Sequence, residues 1–103
     1  MSQSSLVGCW RLVRSEAKLD DGQGVEVEFH PDGRMDYCID AGDRWQIMKL
    51  TYRVVEGWLL TDQPSDPREE RTPWVLEPDG GLILGAAGAR SWFRRGERQA
   101  PAA

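Results

Sequence analysis

The chain has 103 residues, 13 Lys plus Arg against 17 Asp plus Glu, a net charge of −4 and 40% hydrophobic residues. That is enough chain for one domain and not for two. An acidic balance without any Lys/Arg block excludes a phosphate-binding face, and no apolar run approaches the ~20 residues of a membrane helix, so neither nucleic acid nor membrane insertion is expected.

Residues 1–5 are polar and lack the basic and apolar regions of a signal peptide, so a cytoplasmic protein with a disordered start is expected. Residues 6–14 open the strands, with Trp10 and Leu12 in one phase. Cys9 and Cys38 are too few and too far apart for a disulfide framework and read as reduced thiols. With His30 as the one histidine, they match no common zinc spacing, so no metal or other cofactor is expected. Residues 15–24 form the longest connection, in which Glu16-Ala17-Lys18-Leu19 suits a helical turn.

Val25-Glu26-Val27-Glu28-Phe29 alternates apolar and polar residues, the mark of a strand with one buried face. Pro31-Asp32-Gly33 supplies turn chemistry, and residues 34–40 alternate again, which predicts a β-hairpin. His30 sits beside that turn and is expected to face solvent. The acidic set Glu26, Glu28, Asp36, Asp40 and Asp43 reads as a solvated outer face.

Met48, Leu50, Tyr52 and Val54 share one face of the next strand, whereas Trp45 and Ile47 have the opposite phase. That slip predicts a β-bulge between Ile47 and Met48. Glu56-Gly57 turns tightly into Trp58-Leu59-Leu60-Thr61. A polar loop follows, then Thr72, Trp74 and Leu76 alternate with Arg71, Pro73 and Val75. Pro73 cannot donate to a ladder, so its strand is expected at an edge or a bulge. Pro78-Asp79-Gly80-Gly81 repeats the earlier turn chemistry and leads into Leu82-Ile83-Leu84. Gly85-Ala86-Ala87-Gly88 reads as a flexible hairpin loop before Ser91-Trp92-Phe93-Arg94-Arg95, and residues 96–103 are expected to form a disordered tail.

These segments predict an all-β domain over residues 6–95: about eight short antiparallel strands in an up-and-down meander that closes into a small barrel, because closure removes exposed edges. Leu6-Val7-Gly8-Cys9-Trp10-Arg11-Leu12-Val13 resembles the Gly-x-Trp first strand of lipocalin-like (calycin) barrels, and the hairpin of residues 25–40 is similar to the second and third strands of bacterial members. The resemblance implies that Gly8 and Trp10 close one barrel end beneath a basic residue of the last strand. Arg94 is the best match to that residue, with Arg90 and Arg95 as alternatives. The chain is shorter than many such barrels, which leaves a shallow cavity.

An eight-stranded barrel holds side chains or one small ligand. Tyr37, Met48, Tyr52, Thr72, Trp74, Arg90 and Trp92 share the expected inward phase with the core and form the candidate ligand-binding set. No catalytic triad, phosphate loop or nucleotide fingerprint is present. The expected function is non-catalytic binding of a small, partly apolar or amphipathic molecule in the barrel mouth. The alternatives are a homodimeric module with a filled core, using Trp58 beside Leu59 and Leu60, and a small-molecule enzyme using mouth Tyr or Arg groups.

Overall fold

A computed structural model of the chain describes residues 5–16, 24–65, 67–85 and 89–101. Eight strands follow one another: β1 (Gly8–Ser15), β2 (Val25–Phe29), β3 (Arg34–Asp40), β4 (Trp45–Val55), β5 (Trp58–Asp62), β6 (Glu70–Leu76), β7 (Leu82–Leu84) and β8 (Ser91–Arg95). Each pairs antiparallel with the next, and β8 pairs with β1, so the sheet is a closed barrel. No helix among the described residues is long and apolar enough to cross a membrane. The suggested helical turn at residues 16–19 and the loop at residues 85–88 lie mostly outside the described residues, as do residues 1–4 and 102–103.

The turns follow from their residues. His30 and Glu77 each begin a hairpin turn whose Pro and Asp occupy the next two positions. The glycine then takes positive φ, 90° at Gly33 and 91° at Gly80, and its N–H donates back to His30 or Glu77. In both turns the aspartate accepts the N–H two residues on, Asp32 from Arg34 and Asp79 from Gly81. Glu56 and Gly57 both have positive φ, as a two-residue type I′ hairpin requires.

The inward phase was legible in most strands. Trp10, Val25, Val27, Phe29, Met35, Tyr52, Trp74, Leu82 and Leu84 form the core, with Leu12, Tyr37, Leu50, Val54 and Leu76 packed against it. The structure adds Leu6, Leu59 and Phe93.

Three local expectations are corrected. No register shift separates Ile47 from Met48: β3 and β4 pair without a break, and Ile47 lies opposite Cys38 on the outer face. The break falls instead between Leu12 and Arg14, where β1 meets β8. Pro73 lies between two partner strands rather than at an edge. Its carbonyl accepts from Gly85 N–H at 3.0 Å, just beyond the three-residue β7, so its missing donor faces the point where that ladder stops.

The segment after β8 is the third. Residues 96–101, expected to be disordered, lie along the outer face of β2 and β3 as a strap. The acidic face there is therefore covered: Glu26 is 1% exposed and Asp36 is buried as well.

Candidate functional site

The two barrel ends differ. At one end Trp10 is buried and its indole N–H donates to Leu6 O at 2.8 Å. Arg95 lies over the Trp10 ring, 4.2 Å from guanidinium carbon to centroid, and donates to Val7 O and Ser5 O. Gly8 has φ +126°, and a β-carbon there would stand 2.6 Å from Arg95 Nη1. The Gly-x-Trp spacing thus leaves room for a cation that stacks on the indole and ties down the chain entering β1. The closing residue is Arg95 and not Arg94, whose side chain instead pairs with Asp79 at 2.8 Å.

The other end opens into a cleft of about 300 Å³. Met35, Leu50, Leu59 and Leu84 supply an apolar floor. Tyr37, Met48, Thr61 and Thr72 form the wall, and Asp62, Gln63, Arg68 and Glu70 the rim. Strand alternation explains the set: Tyr37 pairs with Met48, and Leu59 with Thr72, on inward faces of adjacent strands. Arg68 is held at the rim by a 2.9 Å bond to Glu70 and by its N–H to Asp62. Burial pushes the Tyr37 phenol up, which favours its protonated form.

Of the candidate ligand-binding residues, Tyr37, Met48 and Thr72 come together in this cleft. The other four do not join its lining. Tyr52 packs edge-on against Phe29 at 4.9 Å between centroids, and its hydroxyl donates to His30 O at 2.7 Å. Trp74 is a core residue, two positions along β6 from Thr72 and opposite Leu84. Its buried indole N–H has no partner among the described residues. Arg90 is exposed and bonds Glu16 through its backbone and its guanidinium. Trp92 lies opposite Ile83 and Arg14, with the Arg14 guanidinium 3.8 Å from its ring centroid.

The phase of β8 explains two of these four, Arg90 and Trp92, and the placement of Arg94 as well. Trp92 and Phe93 are both aromatic, so the sequence supports either register for β8. In the structure Phe93 faces the core and Arg95 shares its side, which turns Arg90, Trp92 and Arg94 away from the interior. The available signal was Arg14. Continuing the Trp10–Leu12 alternation would bury Arg14, and the register shift after Leu12 prevents that.

A second polar cluster lies under the strap. Arg98 Nη1 donates to Glu28 Oε1 at 2.7 Å and to Asp36 Oδ2 at 2.6 Å. The same Asp36 oxygen lies 3.1 Å from Lys49 Nζ and 3.4 Å from His30 Nε2. Burial works to raise the Asp36 carboxyl, but hydrogen bonds from Arg98, Lys49 and His30 together hold it below its ordinary value. His30 is therefore half-buried and engaged rather than solvent-facing. Glu28, His30 and Asp36 bring ligand atoms within 4.8 Å of one another, a spacing that a divalent cation could use. The cation that stands between the two carboxylates is the Arg98 guanidinium.

Cys9 and Cys38 are free thiols. Burial, with Glu26 and Glu28 nearby, pushes Cys9 up to about 11, and burial raises Cys38 as well. Both are poor nucleophiles at neutral pH. Searches against protein-family models, curated proteins and solved structures find no match for this chain.

Proposed function

We propose that the chain is a small lipocalin-like binding protein that takes a small, partly apolar molecule into the open end of its barrel, without catalysis. The observation that carries this reading is the 300 Å³ cleft, with an apolar floor and a few polar groups converging above it. Small-molecule sites share that character. The lipocalin-like assignment rests on Gly8, Trp10 and the Arg95 guanidinium over the indole at the opposite end. Free thiols suit a reducing compartment, which favours the cytoplasm.

Catalysis is the weaker reading. The Tyr52 hydroxyl is engaged with His30 O outside the cleft, and Arg90 lies away from the cleft. A homodimer through Trp58 is weaker too, because Arg71 already lies over that ring at 4.6 Å. Native mass spectrometry of protein purified from its own host tests the proposal directly. A retained small molecule, or a thermal shift with members of a lipophile panel, is expected. A bare mass together with no shift across the panel would overturn it.

A further inference from the structure

We propose, with the cleft as a small-molecule site for a premise, that its ligand is an apolar body bearing a protonated amine, and that Asp62 at the rim receives the amine. The charges of the lining set the sign. Asp62 and Glu70 stand there against Arg68 alone. Arg68 Nη2 donates to Glu70 Oε1 at 2.9 Å, so those two charges offset each other. The pair is also well exposed, Arg68 at 79% and Glu70 at 57%, and water screens what remains of its field. Asp62 differs. It is half-buried at the end of β5, and no cation among the described residues lies within ion-pair distance of it. The charge left over at the mouth is therefore negative.

Hydrogen-bond capacity points the same way. Asp62 Oδ1 accepts the Arg68 N–H at 2.9 Å, which fixes the carboxylate at the rim. Its other oxygen accepts no hydrogen bond among the described residues. Gln63 Nε2 donates to Ser65 Oγ at 3.3 Å, which leaves the amide carbonyl as an acceptor. Gln63 and Arg68 thus direct donors to neighbours within the rim, while Asp62 Oδ2 and the Gln63 carbonyl remain to accept. The wall hydroxyls of Tyr37, Thr61 and Thr72 can do either.

An ammonium group brings three donors and no acceptor, which suits that rim. A carboxylate only accepts, and it would meet Asp62 as a like charge. The apolar floor takes the rest of such a ligand, and a head group at the rim keeps part of its hydration, which limits the cost of burying a charge.

The test titrates full-length chain at pH 7 and low salt with octylamine, octanol and octanoate, followed by amide NMR. The amine is protonated and the acid ionised at that pH. Octylamine should bind at least about tenfold more tightly than octanoate, with octanol between them and shifts at the cleft residues. Asp62→Asn keeps an acceptor for the Arg68 N–H and should bring the amine-to-carboxylate ratio down at least about threefold, leaving octanol unchanged. Glu56→Gln removes the same charge from the β4–β5 turn, outside the cleft, and should preserve the ratio. Octanol bound in the cleft without a preference for the amine would overturn the amine assignment while the cleft stands as a site. Equal loss of preference in the two variants would trace it to net charge and overturn the assignment as well. No saturable shift with any of the three would overturn both readings. If Asp62→Asn does not fold, wild-type chain decides: the methylene beside the amine should show intermolecular NOEs to residues 61–63, and NOEs confined elsewhere would overturn the proposal.

Discussion

Arg95 closes the barrel over Trp10, its guanidinium 4.2 Å from the ring centroid and its two terminal nitrogens bonded to Val7 O and Ser5 O. The next-door arginine does something else, pairing at the surface with Asp79. The pair therefore provides an internal control. Arg95→Ala should lower unfolding stability by about 1–2 kcal/mol in a denaturant titration, from lost stacking and charge-assisted bonds. Arg95→Lys should recover little, because an ammonium lacks the planar fork. Arg94→Ala should leave the midpoint nearly unchanged. Equal effects at the two positions would contradict the closing role.

At the open end, Thr72→Trp should fill the cleft. Thr72 lies on the inward face opposite Leu59, and an indole there occupies the space above the apolar floor. Uptake of an apolar fluorescent probe should fall by at least about tenfold, with the fold retained by circular dichroism. Unaltered probe affinity would move the binding site elsewhere.

Acid should act through Asp36. Its carboxyl is held below its ordinary value in the folded chain, so it contributes stability that is fully present above the unfolded value, near 3.8. That contribution is lost as pH falls from 3.8 through the lower folded value. Asp36→Asn should be less stable than wild type at pH 7, with the difference narrowing as the pH falls through that window. A difference independent of pH in urea titrations would show that Asp36 acts by packing alone.

The thiols offer a chemical check. With Cys9 pushed up to about 11 and Cys38 also raised, the thiolate fraction at pH 8 is small. Alkylation by iodoacetamide should be roughly 100-fold slower at Cys9 than for free cysteine and slowed at Cys38 as well, and should become fast for both residues in denaturant. Rapid labelling of the folded protein would mean that the outer face opens far more often than its contacts imply.

The barrel and most of its core were legible because alternation and turn residues are local properties. Val25 to Phe29, Pro31-Asp32-Gly33 and Glu56-Gly57 each fix their own geometry. The phase of β8 was not, because Trp92 and Phe93 satisfy a period of two in either register, and the register shift after Leu12 decides between them. Phase turns Tyr37, Met48 and Thr72 inward but does so equally for Tyr52 and Trp74, which lie in the core, and Asp62, Gln63 and Arg68 reach the rim through a connection whose path alternation does not specify. The strap was hidden for a different reason. Nothing in Arg98-Gln99-Ala100-Pro101 signals order, since its fit depends on three carboxylates brought to one face by pairing far away in the chain. The alternating glutamates of β2 look like a solvated face until something covers them.

The junction of β1 with β8 bears on how the ring assembles. Every other pairing joins neighbours in the chain and can form by local zipping, whereas the Arg95–Val7 bond spans 88 positions. The entropy of bringing distant segments together therefore falls on one seam. Along that seam stand the guanidinium over Trp10, the hydroxyl bond between Ser15 and Ser91 at 2.8 Å, and Arg14 over Trp92. Side-chain contacts thus reinforce the closure where chain connectivity gives the least help.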